Sequence, residues 1–454
     1  MNDPPCVGPF GAALFTDLYE LTMVQAYDAQ AMCLPAVFEL SFRKLPECRN
    51  YLVACGLQDV LTYLEQAHFS DDDLAYLRRQ GGFRDTFLNR LSSFRFTGDV
   101  FAVPEGTMVF ENEPVLQVIA PLPEAQLIET FVINQVHFQS LVATKAARVV
   151  TAAAGRTVVD FGARRAHGTD AAMKVARASY IAGAAGTSNV LAGKTYDIPI
   201  FGTMAHSYIQ AHDDELAAFA AFAGMYPQTT LLVDTYDTIE GVRKVVELSR
   251  RLGDRFRVRA VRLDSGDLLE LSRKARAILD EAGLNQVRVF ASGGLDEYQI
   301  ADLVQRGAAI DGFGVGTKLA VSSDAPDVDV AYKLVEYAGQ PRLKLSSEKI
   351  IIPGRKQVFR VIEDGRLLRD VIGRHDEKLD GRPLLKQVMH NGRRLPAERA
   401  SLDQSRKHAR RELEQLPPPL LKLERAEQGY PVQLSAALKA DGESLRRTRD
   451  APPS

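Results

Sequence analysis

Between residues 157 and 335 the chain repeats one event: a short apolar run, a polar or charged residue at its end, then a helical pattern. The runs fall at 157–161, 198–202, 230–234, 258–264, 287–292, 310–314 and 330–335. They end in Asp160 to Arg165, His206, Asp234, Asp264, Ser292 and Gly314 to Lys318. Helical patterns follow at 238–252, 268–282 and 296–306, the last opening with Asp296 and Gln299 as a capping box. Apolar strands alternating with helices demand a parallel sheet. So many in succession favour closure into a β/α barrel, whose strand ends supply the reactive groups. The long Ala/Gly-rich helical stretch between the first two runs predicts an irregular barrel.

At 454 residues the chain exceeds what a single core usually serves. The expected fold is α/β, with a domain at 1–145, the barrel at 146–343, and a segment at 344–454 that completes a mixed α+β domain with the first and ends in a polar tail. In the first region Thr16-Asp17 opens a helix. Phe38 to Phe42 alternates like a half-buried strand, residues 99–120 read as β-rich, and a helical pattern begins at Glu124. In the last region Pro353-Gly354-Arg355-Lys356 reads as a hairpin turn joining 350–352 to 357–361. A charged helix at 401–416 stops at Pro417, and the tail after Ala440 is expected to fray.

A formal net charge of −2 argues against a nucleic-acid or membrane binder acting through bulk charge, so any attraction for phosphate must be local. No apolar run is long enough to span a bilayer. Cys6, Cys33, Cys48 and Cys55 form no CxxC pair and read as free thiols in a reducing cytoplasm.

The strand ends carry the chemistry. Arg164 and Arg165 sit beside glycines after the first strand, and a planar guanidinium suits phosphate and carboxylate oxygens. Ser292-Gly293-Gly294 and Gly314-Val315-Gly316-Thr317 are turns whose N–H groups can cradle phosphate. Asp234 and Asp264 can bind sugar hydroxyls or hold Mg²⁺ through water, with Asp237, Ser265 and Asp267 closer to the helices and better placed as caps. His206 is compatible with a structural role or with accepting a phosphoryl group, and nothing nearby has zinc-ligand spacing.

In this order the motifs resemble the nicotinate phosphoribosyltransferase family from about Thr16 to Arg360. They are Thr16-Asp17-Leu18-Tyr19, the 161–166 segment Phe-Gly-Ala-Arg-Arg-Ala, Thr187 to Gly193, Gly202 to Ser207, Val261 to Asp267 and Pro353 to Gln357. The resemblance implies a type II phosphoribosyltransferase that joins nicotinate to phosphoribosyl pyrophosphate, giving nicotinate mononucleotide and pyrophosphate for NAD salvage. It implies ATP as co-substrate through a phosphohistidine at His206, Mg²⁺ accompanying the phosphates, and a homodimer with shared sites. Phe161 would stack on the pyridine ring, with Tyr19 of a second subunit on its other face. Ser188 and Arg262 would lie near the ring carboxylate. Arg164, Gly293, Gly294, Gly314 and Gly316, with Ser292 and Thr317 in the same turns, would hold the 5′-phosphate, and Asp234 and Asp264 would meet ribose or Mg²⁺-pyrophosphate. Ala163 and the His167-Gly168-Thr169-Asp170 continuation depart from the family's usual arginine motif, and nothing after about residue 395 maps onto it.

Three rivals are weighed. A nicotinamide-using relative would carry an acidic residue near the ring, and Gly186-Thr187-Ser188-Asn189 has none. A quinolinate-using enzyme would need more cations and no phosphohistidine. A non-catalytic nucleotide-binding barrel would not need His206 and Asp264 together.

Overall fold

The computed structural model describes residues 13–344, 352–396 and 401–450. The chain forms two compact units, Lys145–Asp324 and the combination of Met1–Thr144 with Ala325–Ser454.

In the central unit six parallel strands lie in the order Gly186–Thr187, Thr157–Asp160, Gly312–Val315, Arg288–Ala291, Ala260–Leu263, Thr230–Leu232. The sheet forms an irregular half-barrel. Helices Thr169–Ile181, Thr238–Leu252, Leu268–Glu281 and Glu297–Gln305 connect its strands, and each of the last three starts on an aspartate cap: Asp237, Asp267 and Asp296. The Asp296–Gln299 capping box forms as the spacing predicts. Val158, Leu231, Val261, Val289 and Phe313 are fully or almost fully buried, as strands covered on both faces require.

Two expected barrel strands are corrected. The 198–202 run contributes only the bridge between Thr187 and Ile200. Pro199 has no N–H to give, so the contact comes down to Thr187 N–H donating to the Pro199 carbonyl and Phe201 N–H to the Thr187 carbonyl. The 330–335 run lies within Asp329–Tyr337, antiparallel to Pro35–Lys44 in the other unit. A parallel return needs a long crossover, and helix Thr317–Ala320 is a single turn.

The other unit is built on a seven-stranded sheet in the order Gln340–Pro341, Asp329–Tyr337, Pro35–Lys44, Pro114–Pro121, Asp99–Ala102, Lys386–His390, Arg393–Arg394. N- and C-terminal segments thus share one sheet. Phe38 stacks on Tyr332 with ring centroids 5.0 Å apart in its core. A second sheet of four strands pairs Lys356–Glu363 with Arg366–Arg374. The hairpin turn between these two strands is Asp364-Gly365, both at positive φ. Residues 350 and 351, the expected partner strand, lie outside the described residues. Helix Leu402–Gln415 stops before Pro417 as expected. Helix Ala436–Asp450 runs through the segment expected to fray. Cys33, Cys48 and Cys55 are free thiols, and Cys6 lies outside the described residues. Among the described residues no helix is long and apolar enough to cross a membrane.

Candidate active site

The carboxyl ends of the half-barrel strands carry the candidate residues, and local bonds hold most of them in place. Phe161 follows the Thr157–Asp160 strand, its N–H donating to the Val315 carbonyl at 2.8 Å. Its ring covers Gly314, where a Cβ would come within 2.4 Å of the ring edge, and it meets Phe290 at 6.0 Å between centroids. Gly314 is thus glycine because the aromatic ring occupies the space of a side chain. The chain then turns through the short Ala163–Arg165 helix, which leaves Arg164 exposed.

Arg262 lies opposite Phe290 in register, so the two side chains share a face of the sheet. Its Nη1 donates to Thr203 Oγ1 at 2.5 Å, its Nη2 lies 3.9 Å from Asp264 Oδ1, and its buried Nε has no hydrogen-bond partner. Burial lowers the Arg262 pKa from its ordinary range. Asp264 and Asp234 oppose that shift, and the like charge of Arg164 adds to it.

The aspartates form a ladder between adjacent strand ends. Asp234 Oδ2 accepts from Asp264 N–H at 2.8 Å and from Ser265 Oγ–H at 2.7 Å. Asp264 Oδ1 accepts from Ser292 Oγ–H at 2.5 Å. Ser265 therefore braces Asp234 rather than capping the helix, since Asp267 directly precedes Leu268 and takes that role. Asp234 is only half free: its buried Oδ1 has no partner. Gly293 has φ +96, and a Cβ there would fall 1.8 Å from the Asp264 carbonyl oxygen, so this turn must be glycine.

His206 opens the short His206–Gln210 helix. Its Nδ1 lies 3.1 Å from Thr235 Oγ1 and its Nε2 lies 4.0 Å from Asp264 Oδ2. Ser188 is half-buried after the Gly186–Thr187 strand, and Gly316 and Thr317 flank the start of a one-turn helix after Val315. A cavity of about 590 Å³ in this unit is lined by Phe161, Phe201, Thr203 and Phe290 together with Arg259 and Arg288 near the amino ends of the strands; His206, Asp234, Arg262 and Asp264 do not line it. Tyr19 belongs to the other unit. It stands on helix Leu18–Ala29 with 47% of its surface exposed, and its neighbours Phe15 and Leu18 are also exposed.

Among the described residues no three His, Cys, Asp or Glu side chains form a metal-ligand cluster. The Asp264 carboxylate, 32% exposed, suits a hard cation such as Mg²⁺ that arrives with its own waters and phosphates, whereas Asp234 Oδ1 is closed off from solvent. Thr203 and Thr235 join the site without being marked by residue type in the sequence. Both hydroxyls sit one or two residues beyond an apolar run, which was the available signal.

The chain and its fold have known counterparts. The chain matches the models of the nicotinate phosphoribosyltransferase N-terminal domain over residues 14–137, the nicotinate phosphoribosyltransferase family over 157–355 and the C-terminal domain over 377–441. It is 60% identical to a nicotinate phosphoribosyltransferase of Mycobacterium tuberculosis over 97% of this chain and 95% of that protein. It is 43% identical to the nicotinate phosphoribosyltransferase of Bacillus subtilis over 82% and 78%. The crystal structure of human nicotinic acid phosphoribosyltransferase superposes with a TM-score of 0.84 at 29% identity, covering 95% of this chain and 99% of the human one. Two independent kinds of similarity, in sequence and in fold, agree across nearly the whole length: the chain belongs to the nicotinate phosphoribosyltransferase family.

Proposed function

We propose that this protein joins nicotinate to phosphoribosyl pyrophosphate, forming nicotinate mononucleotide and pyrophosphate in NAD salvage. The observation that carries the reading is Arg262: a largely buried guanidinium, its side chain 14% exposed, sharing a sheet face with Phe290, which in turn contacts the Phe161 ring. A flat aromatic acid satisfies both features, its ring against Phe161 and its carboxylate on Arg262. Ser188 adds a hydroxyl rather than a competing negative charge, which favours the acid over the amide.

In the reaction the pyridine nitrogen forms a bond to ribose C1 while the C1–O bond to pyrophosphate breaks and the leaving oxygen takes the electron pair. Little proton transfer is needed. The protein's work is to align the ring nitrogen and to neutralise developing charge. Arg164, the Gly293-Gly294 turn and Gly316 hold the 5′-phosphate, with Ser292 and Thr317 beside them; Gly314, expected in the same turn, instead lies inside the buried Gly312–Val315 strand, paired with Val159, and packs against Phe161. Mg²⁺ supplies charge neutralisation on the pyrophosphate, and Asp234 and Asp264 would hold its waters or the ribose hydroxyls.

ATP coupling is assigned to His206. With Nδ1–H donated to Thr235, Nε2 keeps its lone pair. It takes the γ-phosphoryl group as the bond to ADP breaks, and hydrolysis of the phosphohistidine returns inorganic phosphate. Tyr19 of a second copy closes the ring site, which makes the active unit a homodimer. The free thiols Cys33, Cys48 and Cys55 support a cytoplasmic location.

The test is pyrophosphate release by purified protein from phosphoribosyl pyrophosphate, with nicotinate or nicotinamide, each with and without ATP. Release that needs nicotinate and rises with ATP is expected. No release under any condition refutes the enzyme reading, and a preference for nicotinamide refutes the assignment of Arg262.

A further inference from the structure

Asp160 has no place in the reaction above, yet it is fully buried at the end of a strand whose next residue is Phe161. No ion pair to it is found among the described residues. Its Oδ1 accepts from Gly162 N–H at 2.7 Å and its Oδ2 accepts from Thr187 Oγ–H at 2.7 Å. Its carbonyl accepts from Ser188 N–H at 2.8 Å. Thr187 Oγ1 in turn accepts from Asn189 N–H at 3.0 Å, and Asn189 caps the Val190–Tyr196 helix.

Burying a carboxylate without a counter-ion is costly, and a neutral residue could end the strand without that cost. What a carboxylate offers is two acceptor oxygens pointing in different directions. Here one oxygen is committed to each of two loops: the turn after Phe161 and the turn that carries Ser188. Gly162 fits the same clasp, because a Cβ there would fall 2.9 Å from Asp160 Oδ1 and 2.7 Å from Ala320 Cβ. Burial holds the Asp160 carboxyl above its usual range, with the Thr187 and Gly162 bonds opposing the shift.

We propose that Asp160 is a positioning residue for pyridine recognition: its carboxylate and the Thr187 hydroxyl lock the Phe161 and Ser188 loops in one fixed relation. The inference rests on the assignment of Phe161 and Ser188 to the pyridine ring. It adds that their separation is set by a single bridging acid that touches no substrate.

Two substitutions separate the bonds. Asp160→Asn keeps an acceptor for Gly162 but presents an amide donor to Thr187, whose hydroxyl proton is then left without its acceptor. Thr187→Val removes the bridge at nearly constant volume, and Thr187→Ser keeps it. Steady-state kinetics on the full-length protein should show the nicotinate KM rising about tenfold in Asp160→Asn and in Thr187→Val. The KM for phosphoribosyl pyrophosphate should change less than about twofold, Thr187→Ser should behave as wild type, and the double variant should be no worse than either single one. If Asp160→Asn does not fold, Thr187→Val and Thr187→Ser carry the test alone. A wild-type protein that does not use nicotinate overturns the functional assignment. A wild type that uses it, with both substrate KM values unmoved or moved equally in Thr187→Val, overturns the clasp.

Discussion

Replacing Gly314 by alanine perturbs the proposed ring site without touching a polar group. The new Cβ would lie 2.4 Å from Phe161 Cε2, 2.5 Å from its Cδ2 and 3.1 Å from Phe290 Cε1. Carbon atoms settle at about 3.5–4.0 Å, so the Phe161 ring must retreat by roughly 1 Å or more. The Phe161 backbone cannot follow freely, because its N–H is bonded to the Val315 carbonyl in the same sheet. The ring therefore swings while the chain stays. A misplacement of about 1 Å in a positioning group costs on the order of a hundredfold, or about 2.7 kcal/mol of transition-state stabilisation. Overpacking should lower stability by about 1–3 kcal/mol, read as a modest fall in Tm. Pyrophosphate release is the assay: kcat/KM for nicotinate should fall roughly a hundredfold, while ATP hydrolysis in the absence of nicotinate persists. A Gly314→Ala protein with wild-type nicotinate kinetics would show that Phe161 does not hold the ring.

His206→Ala should abolish ATP hydrolysis and ATP stimulation yet leave weak uncoupled transfer. A variant that keeps full coupling removes the phosphohistidine from the scheme. Tyr19→Ala should raise the nicotinate KM, and mixing it with Arg262→Ala should restore part of the lost activity if subunits share sites; no recovery in mixed dimers argues against sharing. Glu20 is fully buried and accepts hydrogen bonds from Thr16 and from the backbone and hydroxyl of Thr130, but burial outweighs these and raises its pKa from 4.5 to about 7. The folded protein then keeps a proton that the unfolded chain releases, so this group's contribution to stability falls as pH rises from about 4.5 to about 7. Tm measured across that window should fall less steeply in Glu20→Gln, and an unchanged slope would refute the assignment. Arg360 is buried among Asp370 and Glu412, each at 2.6 Å, and Glu113 at 3.9 Å; burial and the neighbouring Asp370 push Glu113 well above its usual range. Arg360→Met should cost about 3–5 kcal/mol, since it leaves buried Asp370 without its cation and Glu412 with Arg382 alone, whereas Glu113→Gln should be nearly neutral at pH 7. Equal damage in chemical denaturation would mean that Glu113 is ionised.

The parts of the fold that read clearly in the chain are those decided by local chemistry. Asp237, Asp267 and Asp296 announce helix starts, and runs such as Leu231-Leu232-Val233 or Val287-Arg288-Val289-Phe290-Ala291 announce buried strands. What failed was decided by distant partners. Nothing local tells whether 330–335 completes a barrel or pairs with Pro35–Lys44; the Lys333 within it and the Glu336 just after it suit a sheet less uniformly buried than the barrel's. Asp364-Gly365, the turn between 356–363 and 366–374, is as legible in the chain as Pro353-Gly354, but nothing local says which flanking segments pair. In the site, glycines, arginines and the histidine stand out by type. Thr203 and Thr235 do not, because their contacts exist only once strands far apart in sequence are brought side by side; Asp160 reads as one more polar strand end, and its bonds to Gly162 and Thr187 are legible only in the fold.

The unpartnered atoms of the site carry a further consequence. Arg262 Nε and Asp234 Oδ1 are both buried and both lack hydrogen-bond partners within the chain. Their surroundings are not loosely built: Asp264 N–H, Ser265 Oγ and Ser292 Oγ next to them are bonded at 2.8 Å or less. One of the two is a donor, the other an acceptor. Leaving each unpaired costs about 1–3 kcal/mol, which folding must absorb elsewhere. A ligand whose arrival shifts these side chains enough to expose the two atoms recovers that cost on binding, and it must offer an acceptor to Arg262 and a donor to Asp234. A carboxylate beside a hydroxylated ribose or a hydrated cation meets the pair, whereas a purely anionic ligand meets only the first. The asymmetry gives a structural reason why two substrates of different chemistry would fit this sheet end together better than either does alone.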